Sequence, residues 1–186
     1  MNIACLGWGS LIWDPRGLPM RGKWFEDGPL LPIEFSRIAQ NERVTLVITE
    51  DVPLVRSLWV LMSVTTLEDA VRELADREGI SPTHHEEWVG TWQNSIDPKG
   101  PPHVHRIANW AEQRGLDAVV WTNLPCGPKE NRGQQLSYQQ VRGHLETLPP
   151  DQLRVAENYI RRAPEQIDTD YRRSLQRDLG WLRILG

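Results

Sequence analysis

The sequence predicts an α+β fold, because short apolar runs typical of strands occupy the first two thirds of the chain and helical periodicity governs the last third. A chain of 186 residues is long enough to bury one full hydrophobic core. We therefore expect a single domain over residues 1–186, with a helical tail at about 137–182.

Four strands are predicted in the first third of the chain. A mostly apolar run from Asn2 to Leu6 leads into the stretch CLGWGSLIW, and a connection punctuated by proline and glycine continues to about Leu31. Ile33 to Ala39 and Val44 to Ile48, separated by the polar residues QNE, predict a hairpin. The continuous apolar run from Leu58 to Met62 predicts a central strand that is buried on both faces. Too few helices separate these strands for a doubly wound parallel sheet.

A helix is predicted over Thr65 to Glu78. Thr65 and Glu68 have the spacing of a capping box, and Gly79 follows where helices commonly end in the left-handed conformation. The remaining segments predict a loop at 93–102, a short helix at 104–115, a buried strand at 117–122 and helices at 137–148, 150–163 and 164–182.

The composition favours a globular protein that acts on small molecules. Hydrophobic residues make up 39% and charged residues 25% of the chain, and no apolar run is long enough to span a bilayer. The net charge is −4 with dispersed basic residues, which argues against a nucleic-acid partner. Cys5 and Cys126 are expected to be reduced thiols, and without a signal-peptide pattern we expect a cytoplasmic location. Nine tryptophans suit a lined cavity, whereas the oligomeric state is left open.

Glu78 is the strongest candidate for a catalytic acid or base. On a helical wheel it lies about 20° from Leu67 and Val71, inside the stripe that the helix must bury. It also lies in the last turn, where the helix dipole disfavours a negative charge. A carboxyl group in such surroundings is a candidate general base. The alternative is a terminal glutamate that reaches water or pairs with Arg77 or Arg106.

Tyr138 is predicted to enter the core at the start of a helix. It shares a helical face with Val141 and Leu145, just after a start marked by Ser137 and Gln140. There its phenol can meet a ligand, or it can be a core tyrosine whose hydroxyl has a protein partner.

The histidines raise the question of a metal site. His84 and His85 precede two glutamates, and His103 and His105 would share one face of a strand. However, adjacent histidines point apart, and the spacing matches no defined zinc pattern. We therefore expect no metal.

The stretch GWGSL has the small residues that expose backbone amides at the end of a strand. Gly-x-Gly occurs in many turns, and neither the dinucleotide fingerprint nor the phosphate-loop lysine accompanies it. Exposed amides can nonetheless hold an anion such as a carboxylate.

In their order along the chain, these pieces resemble the γ-glutamylcyclotransferase-like superfamily, from residue 1 to about residue 159. GWGSLIW corresponds to the family's YGSN or YGSL loop after the first strand, ADREGI to the setting of its catalytic glutamate, and PKENRGQQLSYQQV to a later segment with a tyrosine. Trp8 stands where that loop has tyrosine, and residues 81–117 depart from the strands expected after the glutamate. The resemblance implies a small mixed β-barrel or sheet with packed helices and a cavity at the first loop.

The resemblance also implies an activity, namely closure of a γ-glutamyl amine or peptide to 5-oxoproline with release of the amine. Glu78 would be the catalytic residue, and Tyr138 would hold the glutamyl group. The other substrate-binding residues implied are those of the loop: Gly7, Trp8, Gly9, Ser10 and Leu11. No metal or organic cofactor is implied. The alternatives are a non-catalytic binding module of the same fold and, less favoured, a metal-dependent hydrolase built on the histidines.

Overall fold

The structure is a computed structural model in which residues 1–184 are described. The chain divides into two compact units, one formed by residues 1–31 and 56–124 and the other by residues 32–55 and the described part of 125–186. That both belong to one domain over residues 1–186 stays a prediction. No helix in the described part of the chain is long and apolar enough to cross a membrane.

The described residues contain eight strands and six helices, which confirms the α+β class. The strands are β1 Ile3–Gly7, β2 Met20–Phe25, β3 Leu30–Ile38, β4 Val44–Ile48, β5 Leu54–Arg56, β6 Leu58–Met62, β7 Val89–Gln93 and β8 Ala118–Thr122. The helices are α1 Leu67–Glu78, α2 His85–Trp88, α3 Pro102–Glu112, α4 Tyr138–Thr147, α5 Pro150–Arg162 and α6 Asp170–Leu179.

Within residues 1–184 the strands form two open sheets, so the expectation of a barrel is wrong. The larger sheet has the order β2-β6-β1-β8-β7, in which β1 and β8 are parallel and the other pairs antiparallel. A barrel would require its edge strands β2 and β7 to pair with each other. The smaller sheet has the order β4-β3-β5, and its β3 and β4 form the predicted antiparallel hairpin.

The core of the first unit lies between the larger sheet and helix α1. Cys5 is in register with Val60 of β6 and Val120 of β8, so three buried side chains form a row across adjacent strands. Helix α1 packs on this sheet with Ala70 and Leu74, both fully buried. The central position predicted for β6 is confirmed, because β6 lies between β2 and β1, and all of its residues except the partly buried Leu61 are buried.

The N-cap of helix α1 lies one residue later than predicted, and the helix begins at Leu67. The hydroxyl of Thr66, not Thr65, accepts the backbone N–H of Asp69 at 3.1 Å, so the Thr65 and Glu68 capping box is wrong. The two adjacent threonines offer the same hydroxyl, and Asp69 also accepts a hydrogen bond from Thr66. The predicted end is confirmed, since Gly79 has φ of 69° in the left-handed region.

In the second unit, three helices follow the long loop, as predicted. Ser137 and Gln140 form a capping box at the start of α4. Helix α6 starts at Asp170 instead of Pro164, because the hydroxyl of Thr169 caps it by accepting the N–H of Arg172.

Candidate functional site

The loop after β1 forms one helical turn. The N–H of Ile12 donates to the carbonyl oxygen of Gly9 at 3.0 Å, and that of Asp14 to the carbonyl of Ser10 at 2.8 Å. In the described chain, the amides of Ser10 and Leu11 donate to no backbone carbonyl, as is usual for the first amides of a helical turn. The side chains of Trp8 and Leu11 are buried and anchor the turn to the first unit.

Gly7 is a glycine because side chains pack against its backbone. A Cβ atom there would lie 2.6 Å from Cδ1 of Ile12 and 2.9 Å from the indole ring of Trp24. Any larger residue would displace Ile12 or Trp24. At this position the bare backbone has a packing reason that is independent of a ligand.

The end of helix α1 lies against this loop through Arg77. Its Nη2 donates to the carbonyl oxygen of Asp14 at 2.5 Å and to Oγ of Ser10 at 3.4 Å, and its Nη1 donates to Oε1 of Glu78 at 2.5 Å. The carbonyl of Arg77 in turn accepts from the guanidinium of Arg16 at 3.2 Å. One guanidinium therefore bonds both the loop residue Ser10 and the carboxylate of Glu78.

Glu78 is partly buried, with 18% of its side chain exposed, whereas Arg77 is 4% exposed. The side chain of Arg77 thus lies deeper in the molecule than that of Glu78. Pairing with Arg77 was one of the alternatives that the sequence left open for Glu78. An ion pair at this level of burial holds the carboxylate at a fixed place beside the loop.

Cys5, on the central strand, lies within electrostatic reach of this pair. Burial raises the pKa of its thiol strongly; the charge of Glu78 raises it further and that of Arg77 lowers it. A buried thiol in such surroundings stays protonated and is a poor nucleophile. The cysteine is therefore part of the packed core.

Tyr138 belongs to the second unit. Its hydroxyl donates to Oδ2 of Asp178 at 2.7 Å, and its ring centroid lies 5.8 Å from that of Tyr171. Burial, followed by the hydrogen bond and charge of Asp178, raises the pKa of Tyr138 to about 12. Tyr138 is only partly buried and its hydrogen bond is exposed, so the expectation that it enters the core is wrong. Its hydroxyl has a protein partner, and a role in holding a glutamyl group stays a prediction.

The histidines do not have the arrangement that a shared strand face would give. His103 and His105 lie in the first turn of helix α3, where residues two apart point to different sides. The ring of His84 stacks on Trp88 with centroids 4.2 Å apart, and His85 contacts the carbonyl of Ile80. Across residues 1–184, no group of three or more histidine, cysteine or acidic side chains is placed to hold a metal ion.

Arg77 is the residue of this site that sequence reasoning considered only as a partner for Glu78. Ala70, Leu74 and Arg77 recur at the helical spacing i, i+4 and i+7, and all three are buried. This spacing is the one sequence signal that Arg77 is buried. Buried arginines are rare, however, so hydrophobic periodicity alone does not predict that Arg77 faces the core.

The chain matches no family model, and comparisons with curated proteins and with solved structures give no match. The resemblance to a family is therefore carried by the order of the sequence motifs alone.

Proposed function

We propose that this chain is a γ-glutamylcyclotransferase-like enzyme, which converts a γ-glutamyl amine or peptide to 5-oxoproline and releases the amine. The observation that carries the proposal is the bridge made by Arg77 between Ser10 and Glu78. It joins the two segments that the motif order assigns to one site, namely the first loop and the glutamate at the end of α1.

The reaction would be an intramolecular acyl transfer. The free α-amine attacks the γ-carbonyl, forming the ring C–N bond, and the original amide C–N bond breaks as the leaving nitrogen takes up a proton. Because nucleophile and carbonyl belong to one molecule, the enzyme has to fold the substrate and move one proton. A single carboxylate can do both transfers, taking the ammonium proton and giving it to the leaving nitrogen.

In this proposal Glu78 is that carboxylate. The amides of Ser10 and Leu11, at the start of a helical turn, would hold the substrate's α-carboxylate or the developing oxyanion. The guanidinium of Arg77 keeps the loop and the acid together. From the sequence we further propose that Tyr138 holds the glutamyl group of a small γ-glutamyl substrate. The reaction would need no metal or cofactor, and the location would be cytoplasmic.

A non-catalytic binding module is the second candidate, and one observation favours it. The carboxylate of Glu78 already has a guanidinium partner at 2.5 Å, which a bound ammonium group would have to share. A module that only holds a ligand would use the pair as a structural tie between the helix and the loop.

A panel assay tests the proposal. The purified full chain is incubated with γ-glutamyl amino acids, γ-glutamyl dipeptides and γ-glutamyl amines, and 5-oxoproline release is measured by chromatography. Calorimetric titration with the same compounds runs in parallel. Release above the enzyme-free rate from at least one compound supports the enzyme. If the chain binds at least one compound but releases 5-oxoproline from none of them, the enzyme proposal is contradicted and the binding module is supported.

A further inference from the structure

In the second unit, two arginines hold the carbonyl groups on either side of Cys126. Arg37 of strand β3 donates from Nη1 to the carbonyl oxygen of Pro125 at 2.5 Å. Arg132 donates from Nη1 to the carbonyl oxygen of Gly127 at 2.6 Å. Two guanidinium groups, from segments far apart in sequence, therefore converge on one short stretch of loop.

This stretch is fixed to strand β3 by backbone hydrogen bonds. The N–H of Gly127 donates to the carbonyl of Ser36 at 2.6 Å, and the N–H of Ile38 donates to the carbonyl of Gly127 at 3.2 Å. Gly127 has φ of 96°, and a Cβ atom there would lie 2.6 Å from the carbonyl oxygens of Asn131 and Gln134. The loop packs tightly around position 127, which only glycine can occupy.

Neither guanidinium of this arginine pair forms an ion pair with an acid in the described residues. In the described chain, no carboxylate oxygen lies within 4.0 Å of the Arg37 or Arg132 guanidinium, although Arg37 is only 9% exposed. Burial, and next the charge of Arg132, lowers the pKa of Arg37 to about 10, while Cys126 raises it. Burial also lowers the pKa of Arg132, and the charge of Glu130 opposes that effect.

Arg172, another buried arginine of the second unit, provides a comparison for Arg37. It is 1% exposed; burial, and next the charge of Arg183, lowers its pKa to about 10, while Asp168 and Glu165 oppose that effect. Its guanidinium donates to four carbonyl groups, those of Arg161, Ala163, Pro164 and Ile167. Each of these two arginines has a second cation nearby, Arg183 for Arg172 and Arg132 for Arg37, but in the described residues Arg37 has only one carbonyl partner where Arg172 has four. A buried cation in that position is costly unless an anion joins it.

We propose that Arg37 and Arg132 form a binding site for a phosphate dianion next to Cys126. Each guanidinium presents several N–H donors in a plane, which match the oxygens of phosphate in geometry. Two cations call for two negative charges, so a dianion fits better than a single carboxylate. Arg132 and Cys126 are both partly exposed and give the anion access from solvent. The dianion can be inorganic phosphate or the phosphate of a small phosphomonoester.

Calorimetric titration at constant ionic strength tests the site. The probes are inorganic phosphate, glycerol phosphate and, as a monoanion, acetate. The variants are Arg132→Gln and a matched control, Arg154→Gln, whose side chain is 79% exposed on helix α5. We expect phosphate to bind the wild-type chain and the control equally, and to bind Arg132→Gln about tenfold more weakly, because one charge-assisted contact is lost. Acetate should bind more weakly than phosphate.

A second measurement uses Cys126 as a reporter and needs no variant. Inorganic phosphate should slow the alkylation of Cys126 by iodoacetamide, relative to chloride at the same ionic strength, because the anion neutralises the guanidiniums beside the thiol. Tighter binding of glycerol phosphate than of inorganic phosphate assigns a phosphomonoester, and the reverse assigns the free ion. The proposal is overturned if phosphate at millimolar concentration neither binds nor slows alkylation, or if Arg132→Gln binds it as well as the control does.

Discussion

The carboxylate of Glu34 on strand β3 accepts the backbone N–H of Tyr171 at 3.1 Å and so caps the first turn of helix α6. Its other oxygen accepts the N–H of Phe35 at 2.8 Å, and Thr169 adds a side-chain hydrogen bond. Glu34 is fully buried. An acid enclosed in this way links a strand to a helix of the second unit, and its ionisation is coupled to folding.

Glu34 should contribute less to stability as the pH rises. Burial raises the pKa of Glu34 above its ordinary value of 4.5, so the folded chain holds the proton more tightly than the unfolded chain does. The contribution is complete below the unfolded pKa and is lost as the pH rises through the folded pKa. Urea unfolding of the wild type and of Glu34→Gln, from about pH 4 to pH 7, measures it. The free energy of unfolding of the wild type minus that of the variant should fall over this range.

A difference that instead grows with pH would mean that the hydrogen bonds from Phe35, Thr169 and Tyr171 outweigh burial. The glutamine variant is the reference at every pH, so the titration of all other acids cancels in the comparison.

Replacing Glu78 with glutamine should abolish most 5-oxoproline release while leaving the fold intact. Glutamine has nearly the same volume and can still accept a hydrogen bond from Arg77, but its amide cannot take up the ammonium proton. The loss of a positioned base costs on the order of 10² to 10⁴ in rate. The rate is measured on the substrate found in the panel assay, after circular dichroism has shown that the variant is folded.

Glu73→Gln is the matched control for this experiment, because it makes the same change on the same helix. The side chain of Glu73 is 34% exposed, and the nearest guanidinium is that of Arg72 at 3.7 Å. Its rate should equal that of the wild type. If Glu78→Gln also keeps the wild-type rate, Glu78 is not the base, and another acid such as Glu130 becomes the candidate.

Arg77→Lys should destabilise the first unit. The single ammonium group of lysine cannot bond Ser10, Asp14 and Glu78 in the geometry of the guanidinium. We expect the free energy of unfolding to fall by about 1–3 kcal/mol, since buried partners of a charged donor are left unpaired. Arg72→Lys, on the same helix with a side chain 51% exposed, should stay within about 0.5 kcal/mol of the wild type. Urea unfolding measures both, and equal effects of the two changes would rule out a tie between loop and helix through Arg77.

Two substitutions of glycine by alanine should change stability in opposite directions. Gly79 ends helix α1 with φ of 69°, a conformation that costs alanine roughly 1–2 kcal/mol. Gly143 lies inside helix α4, where alanine stabilises by about 0.5–1 kcal/mol. An added Cβ would meet no atom within 4 Å at either position, so only backbone conformation differs. Thermal unfolding should show a lower midpoint for Gly79→Ala and a higher one for Gly143→Ala, and a shift in the same direction for both would contradict this.

The parts of the fold that the sequence predicted are those with a strong local pattern. Strand β6 is apolar at every position, and helix α1 combines periodic apolar residues with a glycine at its end. Strand β2 was predicted as part of a connection, and no strand was predicted where β7 lies. They are the edges of the larger sheet, and β2, with the sequence MRGKWF, is largely exposed. An edge strand has little apolar surface to bury, so periodicity gives a weak signal.

In the candidate site, too, the local segments were predictable from the sequence, whereas the contacts between them were not. The end of α1 and the loop after β1 are each readable from the sequence, but the guanidinium that joins them depends on how the sheet and helix pack. Likewise, no local pattern places Asp178 beside the hydroxyl of Tyr138, because 40 residues separate them. Contacts of this kind are set by tertiary structure, which a single sequence does not report.

The parallel pairing of β1 with β8 joins two segments that are synthesised far apart in time. Ile3 is in register with Ala118, and the nearby contact between Asn2 and Asp117 spans 115 residues. At about 5–20 residues per second on the ribosome, the first strand therefore waits roughly 6–23 s for its neighbour to be made. Until β8 is made, strand β1 has β6 as a neighbour on one side and no strand on the other. During this interval the nascent chain exposes an unpaired apolar strand, a feature that favours aggregation.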